Sequence, residues 1–252
     1  MLILLPPSET KRDGGAEGST LDLGRLSFPP LTRPRKAALA GLRAISRSVA
    51  ASTAALGLGP TQRFEIDRNR SIRSAATLPA IERYTGVLFD AIDVETLLPE
   101  ARRFLGEHVV VHSALFGLTG ADDPIPAYRF SHDTRIGGTS LSKLWREANA
   151  AVLREQPGLV LDLRSEAYAH LGPAAEGSQF LRVVTDDGTG AKRALNHFNK
   201  HGKGELVRAL ALGGIDFESV DDLVAWARTA GIRLEPGSPG ELELIVQPLK
   251  LE

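Results

Sequence analysis

Four polar segments of this 252-residue chain follow or interrupt apolar runs, and each carries residue types that hold anions or move protons. The first is Pro6-Pro-Ser-Glu-Thr-Lys11. Charged and hydroxyl groups at the end of a buried strand stand where α/β proteins place ligands, and Lys11 is the cation an anion would meet there. The second runs from Ser113 to Arg135. Tyr128 can stack on a base or sugar, and Arg129 can fork onto a phosphate or carboxylate. Read as a strand, Tyr128-Arg129-Phe130 turns Tyr128 and Arg129 to opposite faces. His112, His132 and Asp133 do not have metal-ligand spacing, so no metal and no cofactor is expected. The third is Asp162-Leu-Arg164-Ser-Glu166-Ala-Tyr168. If a strand continues through it, Asp162, Arg164 and Glu166 share one face. That trio is either a structural ion-pair network or, in a cleft, an anion holder (Arg164) beside acid–base candidates (Asp162, Glu166). The fourth runs from Asn196 to Arg208 and contains Lys200, His201 and Lys203. A helix opening near Gly204 would put free amides beside two lysines, an arrangement suited to phosphate. The Walker spacing is missing.

The elements that must position these segments follow from periodicity. Residues 2–5, 109–111 and 159–163 are apolar runs that predict core strands. Residues 11–34 read as a long loop rich in Gly, Ser and Pro. A helix is predicted over 35–56, with Ala38, Leu42, Ile45 and Val49 on one face and Lys36, Arg43 and Arg47 together on another. Gly57-Leu-Gly-Pro60 stops it. Further helices are predicted at 77–84, 94–105, 140–154, 204–212 and 219–230. Residues 180–185 and 193–198 flank Asp186-Asp-Gly-Thr-Gly190, a hairpin signal. Residues 241–246 alternate as a last strand. Strands and helices mix without regular alternation, so an α+β fold is expected, a mixed β-sheet surrounded by helices.

Composition sets the bounds. Apolar residues make up 42% and charged residues 24%, ordinary values for one domain spanning residues 1–252. With no cysteine there is no disulfide, thiolate metal site or cysteine nucleophile. The opening Met1-Leu-Ile-Leu-Leu-Pro-Pro7 is too short for a signal core and lacks a basic flank, and no apolar run is long enough for a membrane helix. A cytoplasmic protein with no membrane partner is expected. The net charge of −1 argues against a bulk polyanion binder. The charge is uneven, however: ten Arg/Lys lie between Arg25 and Arg73 against Glu65 and Asp67, whereas nine Asp/Glu face four Arg/Lys from Gly204 onward. The basic part is either a surface facing a negative ligand or a solvated helix face.

Taken in order, several segments resemble the YaaA family, bacterial cytosolic proteins of the peroxide stress response. They are Met1-Leu-Ile-Leu-Leu-Pro-Pro-Ser8, Tyr84-Thr-Gly86, Ser113-Ala-Leu-Phe-Gly117, Pro126-Ala-Tyr-Arg129, the helix containing Trp145, Ser165-Glu-Ala-Tyr168 and Lys203-Gly-x3-Arg208. No single element is specific, but their order and spacing are. The resemblance implies a DNA-binding protein with a mixed α/β fold, a positively charged cleft and a helix-hairpin-helix-like element. It also implies a role in limiting iron-driven oxidative damage. Lys203 and Arg208 match the basic positions of the family's Arg-Gly-x3-Arg segment, and helices 204–212 and 219–230, with Gly213-Gly214 between, would form the hairpin. Where relatives read Ser-Pro-Ala-Lys-Thr, this chain has Glu9 and carries its basic residue at Lys11. Asp216, Glu218, Asp221 and Asp222 make the hairpin region acidic.

Two functions of different class are therefore open. In the first, Lys11, Arg129, Arg164, Lys200, Lys203 and Arg208 hold DNA, largely without sequence readout. In the second, an enzyme acts on a nucleotide, nucleobase or nucleic acid in a pocket where segments 113–135 and 162–168 converge, lined by Ser113, Tyr128 and Tyr168. The same pocket could hold a small anionic or nucleotide ligand without turnover.

Overall fold

The computed structural model describes residues 1–186, 192–194 and 198–246. Its first half runs β1 (Leu2–Leu5), α1 (Thr32–Ser46), α2 (Val49–Leu56), α3 (Phe64–Arg70), β2 (Leu78–Pro79), α4 (Ala80–Arg83), α5 (Val87–Ile92) and α6 (Pro99–His108). Then come β3 (Val109–Ser113), β4 (Gly117–Gly120), β5 (Pro124–Ile125), β6 (Arg135–Ile136), β7 (Thr139–Ser140) and α7 (Leu141–Arg154). The chain continues through β8 (Val160–Asp162), α8 (Glu166–His170), β9 (Gln179–Asp186), β10 (Lys192–Ala194), α9 (Phe198–Gly213), α10 (Val220–Thr229), β11 (Leu234–Pro236) and β12 (Glu241–Val246). Among the described residues no helix is long and apolar enough to cross a membrane.

The fold is α+β, built on a mixed sheet in the order β11-β12-β9-β8-β1-β3-β4, with β10 paired to β9. The five central strands are mutually parallel, and β4 and β11 run antiparallel at the two edges. Strands β1, β3 and β8 are buried throughout, as continuous apolar runs covered on both faces must be. From β1 the chain reaches β3 on one side, whereas from β8 it reaches β9 on the other. The carboxyl ends of β1 and β8 therefore lie side by side where the winding direction reverses. Open α/β sheets bind ligands in the crevice outside that point.

The helices depart from the sequence expectations in instructive ways. The helix expected over 35–56 is two helices. Ser48 is extended (φ −114°, ψ 130°), and its side chain accepts from the Ala51 amide, starting α2 afresh. The helix expected at 77–84 is a two-residue strand followed by the single turn α4, and α5 was not foreseen. Tyr128-Arg129-Phe130 is not a strand. Strand β10 pairs antiparallel with β9 as the hairpin signal predicts, but residues 187–191 and 195–197 lie outside the described residues, and Phe198, expected to end the second strand, opens α9.

The largest correction concerns α9, which begins at Phe198 rather than near Gly204. Lys200, His201 and Lys203 thus lie within the helix, and the phosphate-ready N-terminus expected at Gly204 does not exist. Gly204 has a packing reason instead. A Cβ there would stand 2.2 Å from the carbonyl oxygen of Leu88, so only glycine lets α9 lie against the backbone of α5. The close approach of two helices overrides the helix-breaking tendency of the residue.

Candidate anion-binding site

The segments leaving β1 and β3 meet at one edge of the sheet. Lys11, following β1, bridges Tyr84 in antiparallel fashion. Its Nζ donates to the carbonyls of Ser8 (2.9 Å) and Glu9 (3.3 Å) and sits 4.2 Å from the centre of the Tyr128 ring and 5.2 Å from that of Tyr84. Residues 8–11 are thereby pinned against two aromatic rings. Lys11 is only 7% exposed. Burial pushes its ammonium down to about 7, with Arg129 and Arg68 adding to the effect and Glu65 and Glu9 opposing it.

Beneath it lies a relay of hydroxyls. Ser113 Oγ accepts from the amides of Leu115 (3.1 Å) and Phe116 (2.9 Å). With both acceptor positions filled, its own proton goes to the Tyr128 hydroxyl at 2.6 Å. Tyr128 then donates to the Tyr84 hydroxyl at 2.7 Å. Among the described residues no acceptor is recorded for the Tyr84 proton, the free end of the relay. Burial holds Tyr84 up at about 12 and raises Tyr128 well above the usual tyrosine range, so both stay neutral donors at physiological pH.

Arg129 is presented from the loop before β6. Asn69, wholly buried in α3, clamps its backbone from both sides: Oδ1 accepts from the Arg129 amide (2.8 Å) and Nδ2 donates to its carbonyl (2.9 Å). The Arg129 side chain is 11% exposed and pairs through Nη2 with Glu9 Oε2 at 2.8 Å, while Glu9 is 65% exposed. Arg129 Nε is buried without a partner. These groups border a groove of about 440 Å³ that also contains Ser131, Asp133, Arg135 and the end of α2.

The segment after β8 behaves differently. The strand stops at Asp162, so Asp162, Arg164 and Glu166 do not share a face as expected. Asp162 Oδ1 accepts from Arg164 Nε (2.8 Å) and Oδ2 from Nη2 (2.6 Å). Arg164, fully buried, also donates to His112 Nδ1 (2.8 Å) and the Gly172 carbonyl (2.9 Å). Burial, with Arg164 alongside, pushes His112 well below the usual histidine range, so it accepts as a neutral ring. Glu166 turns outward on α8 and pairs with Arg182 at 3.2 Å. Tyr168 packs against the rings of His112 and His132, and burial raises its hydroxyl well above the usual tyrosine range. Segments two and three approach at His132–Arg135 and Ala167, beside His170 and Leu171, around a cavity of about 360 Å³ that Ser113 and Tyr128 do not line.

Two basic positions of the fourth segment, Lys203 and Arg208, are bonded to groups of the fold. Lys203 is buried, donates to the Leu163 carbonyl at 2.9 Å, and is pushed down to about 8 by burial. Arg208 donates to the carbonyls of Ile92 (2.8 Å) and Asp93 (2.9 Å) and to Thr96 Oγ1. Lys200 is exposed on the first turn of α9, and Asn196 and His197 lie outside the described residues. Sequence reasoning overlooked Tyr84, Asn69 and the placement of Glu9 on Arg129; the quoted Tyr84-Thr-Gly86 was the available signal for the first.

The region 25–73 does present a cationic surface. Arg35 is buried, donating to the Phe116 and Leu118 carbonyls, and Arg68 and Arg70 pair with Glu65 and Asp67. Arg25, Arg33, Lys36, Arg43, Arg47, Arg63 and Arg73 are exposed, and among the described residues none of them has an ion-pair partner. Four of these, Arg33, Lys36, Arg43 and Arg47, repeat at helical spacing and form one stripe along α1, roughly 21 Å long at ~1.5 Å per residue. Among the described residues no group of three or more His, Asp and Glu side chains is placed to hold a metal ion.

A Lys11 prediction follows directly. In an NMR titration of lysine side chains, Lys11 should titrate near pH 7, far below the ordinary 10.5. Because the folded chain releases this proton while the unfolded chain keeps it, stability should rise with pH between those two values. Lys11→Met should flatten that rise. A Lys11 midpoint above 9.5 would contradict the burial described.

Comparison with known proteins places the chain. The family model for peroxide stress protein YaaA matches residues 1–236. A UPF0246 protein of Corynebacterium glutamicum is 40% identical over 253 residues, covering 98% of this chain and 100% of the relative. A UPF0246 protein of Streptomyces coelicolor is 37% identical over 249 residues, covering 96% of this chain and 94% of the relative.

Proposed function

The chain belongs to the peroxide stress protein YaaA family, and we propose that it works there by binding DNA phosphates, largely without reading sequence, in the cytoplasm. The observation that carries this reading is the stripe of exposed, unpaired cations on α1, in a chain whose net charge is −1. Cations left without carboxylate partners on one helix face can replace the counterions of a phosphate backbone. Coating DNA in this way would shield it from iron-driven oxidation, the role that the peroxide-stress assignment suggests.

The contact surface moves away from the α9–α10 pair. Lys203 and Arg208 are bonded to internal carbonyls, and the exposed acids Asp216, Glu218, Asp221 and Asp222 would repel phosphate. Catalysis gains less support from this arrangement. Both oxygens of Asp162 are occupied by Arg164, and Glu166 stands in solvent.

The test is a salt titration of duplex binding. The logarithm of affinity should fall linearly with the logarithm of salt, with a slope of about −4 or steeper if the α1 stripe is fully engaged. The slope should be alike for unrelated sequences. Binding that is absent at low salt, or flat with salt, would overturn the reading.

A further inference from the structure

We propose that Glu9 is an internal placeholder on Arg129, and that the groove beside it is a phosphate subsite which opens when a ligand oxyanion displaces the Glu9 carboxylate. The inference rests on the phosphate-binding reading but assigns it a second, separate contact.

Arg129 is built to be precise. Asn69 fixes its backbone on both sides, and the side chain is almost wholly enclosed. Even so, the guanidinium is half used. Glu9 occupies Nη2 with a single oxygen, and Nε on the same edge has no partner. Buried N–H groups are nearly always bonded, because leaving one unsatisfied forfeits its hydration with nothing in return. The Nε–Nη2 edge of arginine matches two oxygens of a phosphate. Glu9, reaching in from exposed chain, supplies only one of them.

The geometry also allows the exchange. The backbone of residues 8 and 9 is held by Lys11 through the Ser8 and Glu9 carbonyls, so the Glu9 side chain can swing out while its main chain stays in place. The side chain is 65% exposed, and moving it into water therefore gives up little burial. The groove it would vacate has about 440 Å³, with Ser131 and Arg135 at hand for further phosphate oxygens. With Glu9 in place, Arg129 and Arg135 are balanced by Glu9 and Asp133. Displacing Glu9 leaves an excess of positive charge for the ligand.

Two sources of phosphate fit this chemistry, a nucleic-acid backbone and a free nucleotide. Calorimetric titrations with a nucleoside 5′-monophosphate and with a short oligonucleotide separate them. Glu9→Gln should tighten binding of at least one on the order of tenfold, the size of a single charge-assisted contact. Glu155→Gln, the same charge change at the exposed residue that follows α7, should not. Adding Arg129→Lys to Glu9→Gln keeps the charge but removes the fork, and should abolish most of the gain. A gain for both ligands or for the mononucleotide alone assigns a mononucleotide-sized subsite, and a gain for the oligonucleotide alone assigns backbone phosphate. The proposal fails if Glu9→Gln changes neither affinity, or if its gain survives Arg129→Lys. Salt-dependent DNA binding with no Glu9 effect overturns the placeholder alone, whereas a mononucleotide gain with no DNA binding overturns the DNA reading alone.

Discussion

Replacing Arg33, Lys36, Arg43 and Arg47 together with Gln should make the salt slope of duplex binding shallower by about 3 to 4 and weaken binding on the order of a hundredfold or more at low salt. Each cation that meets a phosphate releases close to one counterion, so removing a contact lowers the slope by about 0.9. Glutamine has nearly the helix propensity of arginine and lysine, and these positions are exposed, so α1 should keep its form. Its buried face, Ala38, Leu39 and Leu42 with the internal Arg35, is untouched. Neutralising Lys143 and Arg228, exposed cations on α7 and α10, serves as the control and should leave the slope within about one. If both variants lower it equally, the protein binds through diffuse charge and α1 has no special part.

The second large effect is on stability. Asp162→Asn should cost about 3–5 kcal/mol, because removing one member of a buried ion pair strands the other. Arg164 is fully buried, and Asp162 receives its Nε, its Nη2 and its backbone amide. Against a total stability of roughly 5–15 kcal/mol, such a loss moves the urea midpoint visibly. Replacing both residues with leucine should restore much of the loss, since the desolvation cost disappears together with the pair. Losses that simply add would show the two side chains to be uncoupled, contrary to the geometry. The outcome also bears on chemistry: a folded Asp162→Asn protein that binds DNA as before assigns Asp162 to the framework.

The parts of this protein legible in its sequence were those governed by local pattern. The apolar runs at 2–5, 109–111 and 159–163 became β1, β3 and β8, and the polar residues following them gather at one edge as expected of strand ends. The illegible parts were decided by distant neighbours. Gly204 reads as a helix start, yet its position is set by the Leu88 carbonyl. Lys203 and Arg208 read as surface cations, yet Leu163, Ile92 and Asp93 offer them carbonyls from far along the chain. Tyr128 reads as a stacking platform, yet Ser113 and Tyr84 claim its hydroxyl and Lys11 covers its face. Nothing near these residues in sequence announces such partners.

The position of β1 also has a bearing on how the chain is made. It lies between β3 and β8, so this strand is flanked by strands that begin only at Val109 and Val160. Pairings this distant close late and slowly. Until those strands are made, a four-residue apolar segment waits without its neighbours, a state that invites association with other nascent chains. Pro6 and Pro7 follow at once, and prolines beside an unavoidable hydrophobic strand act as gatekeepers against such association. The two prolines that introduce the Ser8–Lys11 segment in the finished protein thus guard its central strand while the protein is still incomplete.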